Sequence, residues 1–360
     1  MKQSRNNIKA HKAVERGPLP KVSLILLDWT CRERFFALDW LSKQDVPREE
    51  YEIIWVELYD RVVPEAMEKA DVVITCGQKG RYHKHAGYNA GLLKARGEVI
   101  TVCDSDAVFP PDFITSIKEK FNLGRGRDPK SIVLMHYERR TNSTYPDGMT
   151  DIKGLDDFEW VPLWHNVGAC VSVRYDDAVR FGGFDEHESF RGYICGPYEL
   201  AWRLVNAGIP EEWHDPGVTL WHFMHANIDN YNIRGISFDA LFEIAFMRPH
   251  LKEHAFNAVE AFSTGRLLPL NENPKVHDIR MSRRKFGSSY EKEYATKTGP
   301  EGFSRGEVLL MRVFYFGEFL REHLQPRFPL FFKAYGRLMD KLLPGSLMDW
   351  WIYKIKGASK

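Results

Sequence analysis

The stretch Gly97–Phe113, GEVITVCDSDAVFPPDF, decides the fold prediction because it places two carboxylates one residue apart directly after an apolar run. Residues that favour strands fill Glu98–Cys103, and the two prolines that follow the acidic triplet prevent a regular element from continuing. Asp104, Ser105 and Asp106 are therefore expected on a turn at the carboxyl end of a strand. Hard cations such as Mg²⁺ and Mn²⁺ prefer oxygen ligands, and Mg²⁺ commonly combines protein carboxylates with substrate phosphates. The turn therefore predicts a divalent-metal and diphosphate site.

Apolar runs alternate with helical patterns ahead of this turn. Strands that alternate with helices predict a parallel sheet, and open parallel sheets bind ligands beyond the carboxyl ends of their strands. Asp28, Glu57 and the acidic turn all fall at such ends, so three strand ends are expected to meet in one crevice. The predicted strands are Val22–Leu27, Tyr51–Leu58, Asp71–Thr75 and Glu98–Cys103, and the predicted helices are Glu33–Ser42 and His85–Ala95.

Composition indicates a globular protein whose partner is recognised locally. The chain has 360 residues, of which 44% are hydrophobic, enough to bury a large core. Its 50 basic and 49 acidic side chains give a formal net charge of +1, which argues against a general nucleic-acid binder. The five cysteines form no C-x-x-C pair, and the sequence shows neither a signal peptide nor a run of about twenty apolar residues. A cytoplasmic protein is expected, with any membrane contact peripheral and at the inner face, and residues 1–20 are expected to form a flexible tail.

The segment that leads into the acidic turn resembles a known family. Residues 85–114, HAGYNAGLLKARGEVITVCDSDAVFPPDFI, are similar to the donor-side helix and metal strand of the family 2 glycosyltransferases with the GT-A fold. The resemblance implies an α/β domain over residues 21–228, with a Rossmann-like, mostly parallel sheet flanked by helices. The matching positions are Asn89, Gly91, Ala95, Gly97 and Glu98.

The resemblance also implies a site for a nucleotide-sugar donor, and UDP-sugars are the family's commonest donors. Trp29 is expected to stack on the base, and Glu57 stands where the family usually has an aspartate that binds the nucleoside. The metal, Mn²⁺ or Mg²⁺, is expected on Asp104, Asp106 and His222, the histidine that follows a tryptophan in WHFMH. The predicted donor-site residues are Leu27, Asp28, Trp29, Glu57, His85, Asn89, Asp104 and Ser105.

The loop Gly77–His85, GQKGRYHKH, carries basic side chains but lacks the spacing of an ATPase phosphate loop. These side chains are expected to face the diphosphate, the acceptor or solvent. A solvated position is expected more for Lys79 and Lys84 than for His85.

The general base is the part of the family pattern that this sequence lacks. The segment Phe181–Glu186, FGGFDE, resembles the family's acceptor-side turn. Further along the chain, Gly196 and Pro197 stand at the positions of the family's catalytic acid pair. Glu199 is the first candidate for the base, with Asp185 in reserve. The alternative for Glu199 is an ion pair with Arg203, four residues later on the same helix. A retaining transfer, in which the departing phosphate takes the proton, therefore stays open.

The C-terminal third is expected to be helical. Residues 229–300 are expected to form a helical segment and connector, and residues 301–360 amphipathic helices in which aromatic residues mix with Lys and Arg. Such faces suit a lipid interface, a second copy in a homo-oligomer, or packing on the preceding domain. Packing on protein, either the preceding domain or a second copy, is favoured over the lipid interface.

Together these patterns predict a metal-dependent enzyme that transfers a sugar from a nucleotide-diphosphate sugar to a glycan or other hydroxyl acceptor, with inversion. A nucleotidyltransferase is disfavoured because LLDWTCRER, which includes the end of the first strand, is not a glycine-rich loop. A retaining glycosyltransferase and a catalytically degenerate protein that binds glycan or scaffolds a complex are the alternatives.

Overall fold

The computed structural model of this chain describes most of the first 224 residues and a shorter segment after residue 269. The expectations for residues 229–269 and 284–323 lie outside the described part, as does most of the helical extension expected at 301–360. The described residues are 8–17, 19–80, 82–124, 126, 128–160, 164–165, 170–186, 190–191, 197–215, 217–224 and 270–283, together with positions 324, 327, 328, 330, 331 and 334.

Strands and helices alternate along the described chain, as the sequence predicts. Each predicted strand is present, with ends that differ from the prediction by one residue. The strands are β1 (Lys9–Ala13), β2 (Val22–Asp28), β3 (Tyr51–Glu57), β4 (Val72–Thr75), β5 (Val99–Asp104), β6 (Ala107–Val108), β7 (Val133–Met135), β8 (Tyr137–Thr144), β9 (Trp164–His165), β10 (Cys170–Arg174), β11 (Glu211–Trp213) and β12 (Leu220–Met224).

The larger of the two described sheets has the strand order β1-β4-β3-β2-β5-β10-β7-β11. Its central strands β4, β3, β2 and β5 are mutually parallel, so their carboxyl ends lie at the same edge. In register, Asp28 lies beside Glu57, and Leu27 lies beside Asp104. The predicted meeting of three strand ends is therefore confirmed.

The central strands are buried on both faces. Ile25 and Leu27 pack in the layer that contains Tyr88, whereas Leu24 and Leu26 pack in the opposite layer. This two-sided burial is why the strands read as nearly continuous apolar runs rather than as alternating patterns.

A smaller sheet extends from the same edge and has the order β6-β12-β8-β9. Strand β6 follows the acidic turn directly and pairs with β12, placing Ala107 opposite His222. This pairing brings a segment from far along the sequence to the turn at Asp104–Asp106.

Helices cover both faces of the larger sheet, and one of them approaches it closely. A Cβ on Gly87 would lie 2.6 Å from Leu27 Cδ1, and a Cβ on Gly91 would overlap Ile25. Both positions therefore require glycine for close packing of this helix on the sheet. The helices are α1 (Phe36–Leu41), α2 (Pro64–Lys69), α3 (Lys84–Leu92), α4 (Phe113–Lys120), α5 (Tyr175–Arg180), α6 (Tyr198–Asn206) and α7 (Pro274–Ser282).

The structure differs from the prediction at the amino terminus. Residues 1–20 were expected to form a flexible tail, but β1 pairs antiparallel with the edge strand β4. This strand uses main-chain hydrogen bonds and polar side chains, including a 3.0 Å contact between His11 and Thr75, so no apolar run marks it in the sequence.

Among the described residues, no helix has the length and apolar character needed to cross a membrane.

Candidate functional site

Asp104, the first carboxylate of the acidic turn, is paired with a lysine. Lys84 Nζ lies 3.1 Å and 3.2 Å from the two carboxylate oxygens of Asp104, and the Lys84 side chain is only 1% exposed. The expectation that Lys84 is solvated is wrong, because the first turn of α3 directs it onto the end of β5. Lys79 is 82% exposed, as expected.

Asp106, the second carboxylate, is shared by an arginine and a histidine. Its Oδ2 lies 2.5 Å from an Arg32 nitrogen and 3.0 Å from His222 Nε2, although His222 is 116 residues away in sequence. Burial opposes charging of the imidazole, but the adjacent Asp106 outweighs it and raises the pKa of His222. The structure thus places Asp106 and His222, both predicted metal ligands, in contact, and it adds Arg32, for which the sequence predicts no role.

The contact between Asp106 and His222 fits one edge of a divalent-metal site. Adjacent ligands of an octahedral cation at about 2.1 Å are about 3.0 Å apart, which is the separation of Asp106 Oδ2 and His222 Nε2. Within the described residues, no three His, Cys, Asp or Glu side chains form a complete cage. Ser105 Oγ is buried there with no described hydrogen-bond partner. These residues therefore fit a cation whose shell is completed by a substrate.

Trp29 forms an aromatic platform beside the acidic turn. Its ring stacks on Tyr82 at a centroid distance of 5.4 Å, with 24° between the planes. Lys84 Nζ lies 4.3 Å from the Trp29 ring centroid, and the Arg32 guanidinium carbon lies 4.9 Å from it. Lys84 and Arg32, the basic side chains that pair with the acidic turn, thus also contact the Trp29 indole.

Asp28 and Glu57 hold the loop that carries Trp29. Asp28 Oδ1 accepts hydrogen bonds from the main-chain nitrogens of Trp29 at 2.8 Å and Cys31 at 3.2 Å. Glu57 accepts from the main-chain nitrogen of Thr30 at 3.1 Å and from its hydroxyl at 2.9 Å. Thr30 has a φ of 62°, a conformation that a β-branched residue rarely adopts. Burial, followed by the neighbouring Asp28, raises the pKa of Glu57 to about 7.

His85 and Asn89, on α3, contact the turn at Phe181–Glu186 rather than the acidic turn. Asn89 bonds both main-chain groups of Phe184, at 2.8 Å and 2.7 Å, and His85 Nδ1 donates to the carbonyl of Asp185 at 2.7 Å. Gly183 has a φ of 68°, and a Cβ there would lie 2.5 Å from Asn89 Oδ1. Burial lowers the pKa of His85.

Glu199 and Arg203, on α6, hold the same turn from its other side. Both side chains are fully buried, and the Arg203 guanidinium contacts the Glu199 carboxylate. Arg203 also donates to the carbonyls of Phe181 and Gly183, and Glu199 Oε2 accepts from the Asp185 nitrogen at 2.9 Å. The ion pair that the sequence analysis gave as the alternative role of Glu199 is therefore present.

Residues 270–283, which lie in the region expected to form a helical segment and connector, also pack on this turn. The Asn271 nitrogen donates to Asp185 Oδ1 at 3.0 Å, and the Glu186 nitrogen donates to the Asn271 carbonyl at 3.0 Å. Asn273 caps α7 and donates to Glu186 Oε1 at 2.6 Å. The chain therefore returns to the core domain after residue 269, a connection with no local sequence signal.

The predicted site residues thus separate into two groups. The first lies around the acidic turn and includes the platform and its loop, whereas the second surrounds the turn Phe181–Glu186. Leu27 belongs to neither group through its side chain, which is buried in the core against α3. The first group contains Asp28, Trp29, Glu57, Asp104, Ser105, Asp106 and His222, and the second contains His85, Asn89, Asp185 and Glu199.

Residues 38–178 match the family model described as Glycosyl transferase family 2. Over these residues the chain is similar to the family 2 glycosyltransferases. The match includes the acidic turn, the Trp29-facing helix α3 and strand β8, and it ends within α5. The predicted α/β fold is confirmed, and the predicted resemblance to this family is confirmed over the matched residues. The match also supports the predicted enzyme class, a glycosyltransferase.

Two solved structures illustrate what the chain is similar to in fold. A mannosyltransferase, PcManGT from Pyrobaculum calidifontis in complex with GDP-Man and Mn²⁺, is 14% identical with a TM-score of 0.40, over 87% of this chain and 90% of its own. S. aureus TarS 1-349 in complex with UDP-GlcNAc is 11% identical with a TM-score of 0.47, over 85% of this chain and 91% of its own. No curated protein matches the chain in sequence.

Proposed function

We propose that this protein transfers a sugar from a nucleotide-diphosphate sugar, most simply a UDP-sugar, to a hydroxyl group of a glycan or related acceptor. The observation that carries the proposal is the 3.0 Å contact between His222 and Asp106, the second carboxylate of the acidic turn that the family 2 match includes. This contact joins the acidic turn to β12 and would supply two of the six ligands of an octahedral cation, and the phosphates of a donor would supply others.

The divalent cation, Mn²⁺ or Mg²⁺, would be held by Asp106 and His222, and when bound it would neutralise the leaving diphosphate. Asp104 and Lys84 lie beside that position, where Lys84 supplies a buried positive charge for a phosphate. Arg32 currently pairs with the same Asp106 oxygen that contacts His222. We propose that Arg32 turns from Asp106 to a phosphate oxygen when the donor binds.

The platform is proposed to bind the nucleoside. Trp29 supplies an aromatic face for the base, and the hydrogen bonds from its loop to Asp28 and Glu57 fix the orientation of the indole. In this proposal Asp28 and Glu57 act through the loop, because Asp28 Oδ1 and both Glu57 oxygens already accept hydrogen bonds from it. The other Asp28 oxygen pairs with Arg61.

Glu199 and Asp185 remain the predicted candidates for the general base, but their described contacts favour a different role. A base needs a carboxylate oxygen within hydrogen-bond reach of the acceptor hydroxyl. Glu199 instead pairs with Arg203 and the Asp185 nitrogen, and Asp185 bonds Asn271. We therefore propose that both residues shape the acceptor-side turn, and we keep inversion as a predicted outcome that NMR of the product anomer tests.

The proposal is tested by thermal stabilisation with UDP, GDP, CDP and dTDP, each with and without Mn²⁺. A ligand present at about 100 times its Kd should stabilise the fold by about 2.7 kcal/mol. We expect stabilisation by one nucleotide in the presence of Mn²⁺, its loss in Asp106→Asn, and its retention in the exposed control Asp112→Asn. Nucleotide-sugar turnover is then measured with that nucleotide's sugars. Absence of stabilisation by every nucleotide would favour the degenerate glycan-binding alternative.

A further inference from the structure

Glu138 is a buried acid on β8 to which the sequence assigns no role. It is 1% exposed, and its Oε1 accepts a hydrogen bond from Arg140. Its Oε2 is also buried, and within the described part of the chain this oxygen has no hydrogen-bond partner. Buried polar atoms are nearly always satisfied, and leaving one unpaired is costly. The orphaned oxygen therefore points to a ligand that completes it.

The sheet register places Glu138 on the face that looks towards the acidic turn. Strands β8 and β12 are parallel, with Leu220 opposite Glu138 and His222 opposite Arg140. Side chains alternate between the faces of a sheet, so Glu138, Arg140 and His222 share one face. Arg139 lies on the other face, where it stacks over Trp221 at 5.6 Å.

Electrostatics agree with this placement. Burial raises the pKa of Glu138, whereas His222 and Arg140 oppose the rise. The His222 ring in turn contacts Asp106 at 3.0 Å. Glu138 therefore belongs to the same electrostatic cluster as the proposed cation position.

An ionised carboxylate only accepts hydrogen bonds, so the missing partner must be a donor such as a hydroxyl group. In the proposed function the diphosphate lies at the acidic turn, and the sugar is attached directly to it. The sugar must therefore lie within about one ring's width of this cluster. We propose that Glu138 Oε2 accepts a hydrogen bond from a hydroxyl of the donor sugar, which makes Glu138 a sugar-recognising residue. This inference rests on the proposed function.

The test compares binding of a nucleotide with binding of its sugar conjugate by calorimetry in the presence of Mn²⁺. The probes are UDP and the UDP-sugar that binds the native protein most tightly among UDP-glucose, UDP-galactose, UDP-GlcNAc and UDP-GalNAc. In Glu138→Gln we expect the Kd of the UDP-sugar to rise about 10- to 100-fold, the usual effect of losing a charged hydrogen bond. The Kd of UDP should change by less than about twofold.

Other outcomes would overturn the inference in distinguishable ways. Equal weakening of UDP and the UDP-sugar would assign Glu138 to a cation-bound water instead of the sugar. Unchanged affinity for both would make it a structural residue. If the native protein binds no nucleotide sugar, the proposed function fails together with this inference. If it binds one that Glu138→Gln binds equally well, the inference alone fails.

Two further variants separate recognition from folding. Arg140→Gln leaves the Glu138 carboxylate in place but removes the group that orients it, and the Arg140 side chain is 56% exposed. It should cause the same selective loss of UDP-sugar binding to a smaller extent, even if Glu138→Gln does not fold. Glu159→Gln removes an exposed carboxylate and should leave both affinities unchanged.

Discussion

Replacing Glu199 with glutamine tests whether this residue holds the acceptor-side turn or takes a proton. Glutamine has nearly the same shape and can still accept the hydrogen bond from the Asp185 nitrogen, which is 2.9 Å from Glu199 Oε2. It cannot neutralise Arg203, whose side chain is 0% exposed. The perturbation therefore leaves one buried positive charge without its described counter-charge.

Breaking a buried ion pair by removing one partner typically costs 3–5 kcal/mol. Arg203 keeps its hydrogen bonds to the carbonyls of Phe181 and Gly183, which partly compensate for the lost carboxylate. We therefore expect Glu199→Gln to lower the free energy of unfolding by roughly 3 kcal/mol, at the lower end of that range. The structural account also predicts that kcat per folded molecule changes by less than about threefold, since removing a general base usually costs 10²–10⁴ in rate.

The assay combines urea unfolding, followed by tryptophan fluorescence, with donor turnover measured where the variant is fully folded. Arg203→Met should destabilise the protein by at least as much, because it leaves Glu199 uncompensated and two carbonyls without their donor. The pair is also examined in the Glu199→Gln/Arg203→Met double variant, in which a coupling energy above about 1 kcal/mol is expected. A variant of native stability whose kcat falls a hundredfold would refute the structural reasoning and restore Glu199 as the base.

Three other changes follow from described contacts. Burial lowers the pKa of His214 to about 4, and its ring bonds His136 at 2.7 Å. Because the unfolded His214 ring, with a pKa near 6.5, binds more protons, this ring alone should lower stability by about 2 kcal/mol between pH 7.5 and 5 in urea titrations, and His136, whose pKa burial also lowers, should add to the loss; a flat profile would contradict this. Gly91→Ala should lower the free energy of unfolding by about 1–3 kcal/mol, since the added methyl group would overlap Ile25. An unchanged melting temperature would show that the space between α3 and the sheet accepts a methyl group. Trp29→Ala should weaken nucleotide binding by about 1–3 kcal/mol, whereas Trp29→Phe should retain most of the affinity; equal affinity in all three proteins would remove the platform from the site.

The sequence predicted those features that depend on neighbouring residues or on strand direction. Central strands were recognisable because burial on both faces requires nearly continuous apolar runs, as in Val22–Asp28. The meeting of Asp28, Glu57 and Asp104 followed from parallel strands that end at one edge. By contrast, β1 was missed because an edge strand can form through main-chain pairing with polar side chains.

The partners of the site residues could not be predicted, because they depend on register between distant segments. Nothing local marks Glu138 as lying on the same sheet face as His222, since this placement arises from the pairing of β8 with β12. Lys84 looked like part of a solvated basic loop, and only the position of α3 over β5 buries it against Asp104. Asn89 was predicted at the donor site, but the amide oxygen and nitrogen of its side chain both bond to main-chain groups of Phe184.

The central claim, a nucleotide-dependent cation site at Asp106 and His222, is tested most directly by titrating Mn²⁺ and observing its electron paramagnetic resonance signal. The titration is made with and without UDP on the native protein, on His222→Gln and on the control His277→Gln, whose half-buried ring contacts Glu272 instead of the acidic turn. We predict that UDP tightens Mn²⁺ binding at least tenfold in the native protein and the control, because each ligand completes the other's site. His222→Gln should lose most of this coupling. Identical Mn²⁺ affinities in the native protein and His222→Gln, with UDP present, would contradict the account.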